Sequence, residues 1–391
     1  DLIALCIFLD LVQDFLPDEY YNKLILEKRA REVFNSWAYL EVEPPAFEYF
    51  DVFNEGKPSI EQEQIFKFLE LGSRILVLRP DFTMPIARIA ATKLRQEKLP
   101  IRLSYIGNIY RYEELQPGKQ REIPQAGIEL MGVKGPEADA EVIAIAIETM
   151  KSIGLNNFQI DIGQVEFYKG LMEQCGFNSE QSDKLTTLID NKDMLALELF
   201  LNELNLCDKF KDIFMKLPLL YGDIKMLKDA ISIVNNPRSR AAIDNLYAVY
   251  EILSDYGLAK YITFDLGMVH SINYYTGIIF RGMTQGIGYP ICGGGRYDKL
   301  VSEFGYNIPA TGFALGIKRI LIALERQKDL LPAPSIDVLV VFDKQNRKKG
   351  YAYMQRLRNN GQRVEHFLLD SNKVQLEQYA KSKSIAKIVR I

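Results

Sequence analysis

The sequence feature that most constrains the fold is a pair of alternating apolar patterns on either side of a charged segment. Apolar residues occupy every second position before and after that segment, as in strands with one face in a core. They are Ile101, Leu103 and Tyr105 on the incoming side and Ile128 and Leu130 on the returning side. The segment from Glu113 to Pro124 is charged and contains Pro117-Gly118, which predicts a long loop. The chain is therefore expected to form a long antiparallel hairpin.

Both predicted strands carry polar side chains in register. Arg111 and Glu113 share one face of the incoming strand, and Gln125 and Glu129 share one face of the returning strand, because side chains repeat every two residues. Such a surface is unsuited to packing in a hydrophobic core and is suited to lining a polar pocket. A solvated hairpin with scattered ion pairs is the alternative interpretation.

Three runs between residues 272 and 319 make the pattern more specific. They are Tyr274-Tyr275-Thr276-Gly277, Gly293-Gly294-Gly295-Arg296-Tyr297-Asp298, and the segment from Pro309 to Arg319. A triple glycine lets backbone or ligand approach closely, but alone it is weak evidence. Taken together and in this order, the hairpin and these runs resemble motifs 2 and 3 of the class II aminoacyl-tRNA synthetase fold. The first two runs are characteristic of the histidyl-tRNA synthetase branch.

Two further stretches extend this resemblance to about residues 13–325. The segment from Trp37 to Asp51 resembles motif 1, the element through which the family dimerises. Leu78-Arg79-Pro80-Asp81-Phe82-Thr83 resembles the family's amino-acid-binding loop. The resemblance therefore implies a dimer of this chain through motif 1 and a histidine pocket.

The resemblance also implies which residues bind histidine. Asp81, Thr83 and Gln125 would receive the ammonium group, and their carboxylate, hydroxyl and amide oxygens can accept its three N–H donors. Glu129 and Tyr275 would hold the imidazole nitrogens, with Tyr274 beside them. Ordinary strand packing is the alternative for the two tyrosines, and a turn carboxylate is the alternative for Asp81.

The nucleotide-binding part departs from the synthetase pattern. His270 stands where synthetases have an Arg that helps bind the histidine carboxylate and the ATP α-phosphate, and a neutral imidazole cannot replace that permanent cation. Losing one such donor typically costs about 2.7–4 kcal/mol. Glu114 and Pro124 replace an Arg and a His. The following residues are interpreted as remains of a nucleotide pocket: Arg111, Glu113, Arg121 and Arg319.

These departures resemble a family that keeps the histidine pocket and has lost the synthetase chemistry, the regulatory subunits of ATP phosphoribosyltransferase. The resemblance implies a non-catalytic chain without cofactor that activates the short catalytic subunit and helps mediate feedback inhibition by histidine. It also implies a hetero-oligomer, usually an octamer with four copies of each subunit. An active histidyl-tRNA synthetase with ATP, magnesium and tRNA is the alternative. A paralogue that binds tRNA or another protein is a third interpretation.

Composition narrows the range of partners. The 391 residues carry 48 Lys and Arg against 51 Asp and Glu, a net charge of −3, so no global basic field favours tRNA. No cluster has metal-ligand spacing. The four scattered cysteines suit a reducing cytosol, and Leu2 to Val12 is too short and lacks the basic leader of an anchor or signal. A cytoplasmic protein without membrane contact is expected, and no catalytic role is assigned to His270 or to His366, which is expected to be solvated.

The predicted fold class is α+β, an antiparallel class II-like sheet with helices. Residues 1–163 and 256–330 would form its two parts, with a helical insertion at residues 164–255. After Pro332-Ala333-Pro334, the apolar pattern predicts a βαβαβ unit at residues 334–391 with a parallel sheet. That unit resembles the start of the class II anticodon-binding domain, shortened.

Overall fold

The structure is a computed structural model, and it describes residues 14–54, 60, 62–112, 120–204, 206–269, 274–368 and 373–391. Its contacts divide it into two compact units, Asp1–Leu330 and Leu331–Ile391. Within the described ranges, no helix has the length and apolar character needed to cross a bilayer. His270, Glu113 and Glu114 lie outside the described residues.

Fifteen strands and fourteen α-helices make up the described part of the chain. The strands are β1 (Leu40–Glu41), β2 (Phe47–Tyr49), β3 (Lys67–Leu69), β4 (Ile75–Leu78), β5 (Ile101–Tyr110), β6 (Glu122–Met131), β7 (Phe158–Gln164), β8 (Tyr221–Gly222), β9 (Ile262–Asp265), β10 (Ile278–Thr284), β11 (Cys292–Arg296), β12 (Ala310–Gly316), β13 (Val338–Val341), β14 (Val364–His366) and β15 (Lys387–Arg390). The helices are α1 (Pro17–Ser36), α2 (Asp51–Asn54), α3 (Thr83–Thr92), α4 (Pro136–Ser152), α5 (Val165–Cys175), α6 (Ser179–Asp190), α7 (Met194–Glu203), α8 (Asp208–Lys216), α9 (Met226–Ile233), α10 (Pro237–Asp255), α11 (Leu300–Glu303), α12 (Ile317–Gln327), α13 (Arg347–Asn359) and α14 (Lys373–Ser382).

The first unit is built on a nine-stranded sheet in the order β1-β5-β6-β12-β11-β10-β7-β9-β8. The predicted hairpin is confirmed, because β5 and β6 pair antiparallel from Ile101↔Met131 to Tyr110↔Glu122. Two pairs run parallel, β1 with β5 and β7 with β9. The other neighbouring strands are antiparallel, so the α+β class is confirmed.

The two faces of this sheet have different surroundings. On β6, Ala126, Ile128 and Leu130 belong to a large hydrophobic core that also contains residues of α1, α4, α5, α10 and α12. The alternate residues Gln125 and Glu129 line a cavity on the opposite face. Helices of the large core therefore cover one face. The other face carries a smaller hydrophobic core that includes α3 and the β5 residues Leu103 and Tyr105, together with the polar side chains of the cavity.

The interval predicted as a helical insertion is mostly helical. It contains α5 through α10, interrupted by the short strand β8. Buried residues from these helices join the same core as the sheet, with Leu171, Leu197 and Leu246 each at most 1% exposed. The hydrophobic core thus continues from the sheet through this interval.

A small second sheet has the order β2-β4-β3, and its strand β2 lies in the segment that resembles motif 1. Its central strand β4 pairs antiparallel with both neighbours. One face is buried through Glu48 and Val77, whereas Phe47 and Phe68 remain 55% and 42% exposed. The two exposed rings touch edge to face, with centroids 5.9 Å apart.

The second unit has the predicted βαβαβ order. Strand β13 lies between β14 and β15 and is parallel to both. The expectation that His366 is solvated was wrong, because its half-buried ring stacks on Phe342 at 4.0 Å between centroids. Its buried Nε2 has no hydrogen-bond partner among the described residues. Helix α13 packs closely against the Phe342 ring at Gly350, where a Cβ would overlap that ring.

Candidate functional site

A cavity of about 520 Å³ opens on the polar face of the large sheet. Strands β6, β10, β11 and β12, the start of α3 and the segment before β10 supply its walls. Eight of the residues predicted to form the histidine and nucleotide pockets line it: Asp81, Thr83, Arg111, Gln125, Glu129, Tyr274, Tyr275 and Arg319. Residues far apart in the sequence thus meet in one cavity.

Glu129 lies at the bottom of this cavity and is 1% exposed. The Thr83 hydroxyl donates to its Oε1 at 2.9 Å, and the Tyr297 hydroxyl donates to Oε2. Burial raises the pKa of the Glu129 carboxyl to about 8 despite these two hydrogen bonds, with Asp81 adding to the rise. Gly312 lies opposite Glu129 in the sheet, and a Cβ there would overlap the carboxylate. The carboxyl group is therefore held in one position for a ligand.

Asp81 stands just ahead of α3 and points partly into the cavity. Its Oδ1 accepts the Met84 backbone N–H at 3.0 Å, as expected for a carboxylate near a helix N-terminus. The turn-carboxylate interpretation thus describes one of its two oxygens. Burial raises the pKa of Asp81, while the Met84 N–H and the Arg111 charge act in the opposite direction.

Four tyrosines form part of the aromatic wall of the cavity. Tyr274 stacks on Tyr297 at 5.7 Å and meets Tyr275 edge to face at 4.9 Å. Burial, with Glu129 nearby, raises the pKa of Tyr275 to about 12, so the phenol remains protonated and can donate or accept. The wall residues Tyr105 and Tyr297 were not predicted as site residues. Tyr297 belongs to the Gly-Gly-Gly-Arg-Tyr-Asp run, and Tyr105 lies opposite Gly127 in the hairpin, so both had a signal in the sequence.

The segment that carries Tyr274 and Tyr275 is attached to α5 by the half-buried Lys169. The Lys169 ammonium donates to the Tyr275 carbonyl at 2.9 Å and to Glu166 at 3.2 Å. Glu166 in turn accepts from Arg238 of α10 at 2.7 Å. Burial lowers the pKa of Lys169, while the Glu166 charge opposes that change. Helices α5 and α10 are thereby connected to one wall of the cavity.

The arginine of the Gly-Gly-Gly-Arg-Tyr-Asp run has a structural role. The Arg296 side chain is 8% exposed and forms an ion pair with Asp139 of α4 at 3.0 Å. It also donates to Asp298 and to the carbonyls of Val133 and Gly135. Arg296 therefore ties β11 to the first turn of α4 and is not a wall residue of the cavity.

Of the residues interpreted as remains of a nucleotide pocket, Arg111 and Arg319 line the same cavity and Arg121 does not. Arg111 lines the cavity and donates to the Pro80 carbonyl at 2.8 Å. Arg319 lines it as well, donates to the Pro290 carbonyl at 2.8 Å and lies over the Tyr289 ring. Arg121 is not a lining residue; its guanidinium lies 4.4 Å from the Tyr112 ring centroid. Arg111 and Arg319 are thus each held by a backbone carbonyl.

In the described part of the chain, no three His, Cys, Asp or Glu side chains are arranged to hold a metal ion. Cys292 is buried beside the cavity, and burial raises the pKa of its thiol to about 12. Such a thiol packs as a small apolar residue.

Comparisons with known proteins agree on one family. The family model described as histidyl-tRNA synthetase matches residues 11–320. An ATP phosphoribosyltransferase regulatory subunit of Acetivibrio thermocellus is 48% identical over 97% of this chain and 91% of the relative. The corresponding protein of Thermoanaerobacter sp. strain X514 is 44% identical, covering 93% and 95%.

Solved structures give the same result. The crystal structure of an ATP phosphoribosyltransferase regulatory subunit/histidyl-tRNA synthetase from Bacillus halodurans matches with a TM-score of 0.87, 31% identity, and coverage of 97% of this chain and 96% of that one. A histidyl-tRNA synthetase from Nostoc sp. PCC 7120 matches with a TM-score of 0.81 and 22% identity, covering 96% and 89%. The second likeness shows the fold alone.

Proposed function

Because the chain belongs to the family of ATP phosphoribosyltransferase regulatory subunits, which share the histidyl-tRNA synthetase fold, we propose that it binds the short catalytic subunit of that enzyme. In the complex it raises the activity of the catalytic subunit and helps mediate feedback inhibition by histidine. The chain itself contributes no catalytic residue. The first step of histidine biosynthesis is thus the reaction it regulates.

The single observation that carries the histidine part of this proposal is the buried carboxyl of Glu129 inside a cavity lined by the predicted residues. An imidazole ring placed between Glu129 and Tyr275 would find an acceptor and a group that can donate or accept. A side chain without ring nitrogens would give the buried Glu129 no hydrogen bond beyond those from Thr83 and Tyr297, and such mismatches are disfavoured. The cavity therefore favours histidine over apolar amino acids.

The ammonium group of histidine would lie nearer the mouth, between Asp81, Thr83 and Gln125. The Met84 N–H is accepted by Oδ1 of Asp81 and does not engage Oδ2. The Thr83 hydroxyl donates to Glu129, which leaves its lone pairs for an ammonium donor. Arg111, which lowers the pKa of Asp81 through its charge, is available for the carboxylate.

Regulation by histidine requires that its affinity differ between the active and the inactive assembly. The Tyr275 wall is connected through Lys169 and Glu166 to Arg238 on α10. A ligand that moves Tyr275 would therefore act on two helices outside the cavity. In our proposal this route carries the histidine signal to the subunit interface.

The alternative function, an active histidyl-tRNA synthetase, has less support. The curated relatives are regulatory subunits, and the 22% identity to a synthetase supports the fold only. We further propose that tRNA is not a partner, that no cofactor is needed, and that the protein acts in the cytoplasm.

The decisive experiment combines calorimetry, pyrophosphate exchange and reconstitution. We expect the purified chain to bind histidine, to show no histidine-dependent ATP–pyrophosphate exchange, and to raise the activity of the short catalytic subunit when the two are mixed. Added histidine should then inhibit the complex. Exchange at a synthetase rate, or no effect on the catalytic subunit, would contradict the proposal.

A further inference from the structure

A second cavity, of about 800 Å³, lies on the same face of the large sheet as the histidine pocket. One row of paired residues connects the two: Gly127, Ala314, Gly293, Arg281, Asp161 and Thr263 are consecutive partners across β6, β12, β11, β10, β7 and β9. Arg281 and Asp161 thus project on the side of the sheet that holds Gln125 and Glu129. The second cavity is an extension of the polar face beyond β10.

Two buried carboxylates form the floor of this cavity. The side chains of Asp161 and Asp265 are 5% and 1% exposed. Asp161 accepts the Thr263 hydroxyl at 2.6 Å, and Asp265 accepts the Gly267 backbone N–H at 3.0 Å. Buried charges are costly unless they are paired and hydrogen-bonded. The cations that pair with these two acids are therefore held in fixed positions.

Arg281 and Lys192 supply that pairing and remain partly exposed above the acids. Arg281 donates from Nε to Asp161 at 3.2 Å and from Nη2 to Asp265 at 3.1 Å. These two contacts do not involve Nη1 of the guanidinium. Lys192 contacts Asp265 at 3.4 Å. The side chains of Arg281 and Lys192 are 34% and 45% exposed, so the accessible surface of the cavity is cationic although acids lie below it.

A third cation and several neutral donors complete the wall. Lys260 is exposed and lies over the Tyr261 ring at 5.0 Å. Three cations against two carboxylates give the lining a net charge of +1. The neutral hydrogen-bonding side chains in the wall, which suit sugar hydroxyls, are Asn156, Asn157, Gln159, Tyr221, Thr284 and Gln285.

We propose that this second cavity binds a small phosphorylated metabolite of about the size of a sugar phosphate. The phosphate would contact Arg281, Lys192 and Lys260, since preorganised cations recognise phosphate through charge-assisted hydrogen bonds. The volume lies in the range of small-molecule sites and exceeds what an inorganic phosphate needs. The amides and tyrosine hydroxyls would contact the remainder of the molecule.

Arg281 lines both cavities, which gives the second ligand a route to the first. A phosphate that engages Nη1 of Arg281 changes the electrostatic field and the position of this guanidinium, which also lines the histidine pocket. This coupling rests on the proposed histidine site, whereas binding of the phosphorylated metabolite does not. Thermodynamic linkage requires each ligand to change the affinity of the other by the same factor.

Calorimetry on the full chain at low ionic strength tests the site, with ribose 5-phosphate as the probe and ribose as the uncharged comparison. Ribose 5-phosphate should bind saturably and ribose should not. Lys192→Gln and Lys260→Gln should each weaken binding by about threefold to tenfold, because each removes one partly exposed cation. Lys228→Gln, which changes an exposed lysine of α9, should leave it unchanged. Higher salt should weaken binding through screening.

The possible results separate this site from the histidine site. No saturable binding of ribose 5-phosphate, equal binding of ribose, or equal loss in Lys228→Gln would overturn the inference even if histidine binds normally. Histidine titrations with and without saturating ribose 5-phosphate then test the coupling. The coupling is supported if ribose 5-phosphate changes the affinity for histidine and histidine changes the affinity for ribose 5-phosphate by the same factor. If neither ligand changes the affinity for the other, the coupling is disproved and the second site stands.

Discussion

The Glu129 carboxyl is the residue on which the proposed histidine recognition most depends. It is 1% exposed and accepts hydrogen bonds from Thr83 and Tyr297. Glu129→Gln preserves size, keeps an oxygen for one of the two hydroxyls and places an NH2 group against the other, whose oxygen can accept from it. We therefore expect the fold to survive. A neutral amide cannot form a charge-assisted bond to imidazole, and such bonds contribute about 1.5–3 kcal/mol.

We therefore predict that Glu129→Gln weakens histidine binding at least tenfold and abolishes histidine inhibition of the reconstituted complex. Calorimetry and inhibition assays measure the two effects. Glu251→Gln, at an exposed position on α10, is the matched control and should behave like the wild type. Undiminished inhibition in Glu129→Gln would show that histidine acts elsewhere.

The raised pKa of Glu129, about 8, predicts how histidine affinity depends on pH. At pH 7 the empty pocket holds a protonated carboxyl, and free histidine, with a reference pKa of about 6.5, is mostly a neutral imidazole. A carboxylate–imidazolium pair carries one titrating proton in all. Between about pH 6.5 and 8, the free partners already carry that one proton, on the Glu129 carboxyl, so the pair forms without net proton uptake or release. Above that window the complex must take up a proton, and below it the complex releases one, so affinity falls on both sides.

We predict a maximum of histidine affinity between about pH 6.5 and 8, with a loss of up to tenfold per pH unit above it. Titrations in buffers of different ionisation enthalpy measure the proton uptake directly. In Glu129→Gln the decline just above pH 8 should disappear, although the histidine amine lowers affinity at still higher pH. An affinity that is constant from pH 7 to 9 in the wild type would disprove ion-pair formation.

Among single residues, those with a polar side chain in a strand pattern were the most predictable from the sequence. Gln125 and Glu129 share a face because of the two-residue repeat, and the hairpin register confirms it. Tyr297 was not assigned because its role depends on the contact with Glu129, 168 residues away in sequence. Arg121 was grouped with the cavity residues by resemblance, but its contact with the Tyr112 ring is a packing property that a sequence pattern does not contain.

At the scale of elements, the connection between β11 and α4 depends on one buried ion pair. Arg296 contacts Asp139 at 3.0 Å and satisfies two backbone carbonyls at the start of the helix. Removing one partner leaves the other charged and buried, which typically costs about 3–5 kcal/mol. The glycines before Arg296 belong to a strand that carries the Tyr297 wall, so this connection also positions the cavity.

Arg296→Gln is therefore expected to lower the free energy of unfolding by about 3 kcal/mol. Urea unfolding followed by circular dichroism measures the change. Arg240→Gln, at an exposed position on α10, should change it by less than about 0.5 kcal/mol. If both variants were equally stable, the buried pair would not hold β11 against α4.

The elements themselves were more predictable than their pairing. The apolar pattern predicted both hairpin strands and the βαβαβ order of the C-terminal unit. It did not predict the parallel pairs β1–β5 and β7–β9, because a strand's own sequence does not specify its neighbour's direction. His366 shows the same limit, since its stacking on Phe342 arises only when β13 and β14 lie side by side.

For the whole molecule, the surface of the small sheet β2-β4-β3 is the strongest candidate for self-association. Phe47 is 55% exposed, Phe68 42% and Tyr49 41%, and the first two are in contact with each other. Contiguous exposed aromatic rings on a monomer commonly mark an interaction surface. This sheet includes part of the segment that resembles motif 1, so the proposed partner is a second copy of the chain.

Phe47→Ser and Phe68→Ser should therefore weaken a dimer without unfolding the monomer, because both rings are largely exposed. Interface aromatics typically contribute about 2 kcal/mol or more when truncated, so each change should raise the dimer dissociation constant at least tenfold. Sedimentation velocity over a concentration series measures it. Leu195→Ser removes an apolar side chain of α7 that is 70% exposed and should leave the dissociation constant unchanged. If Phe47→Ser and Leu195→Ser shifted it equally, or if the wild type were monomeric throughout, the small sheet would not be the dimer interface, and its exposed rings would be free for the catalytic partner.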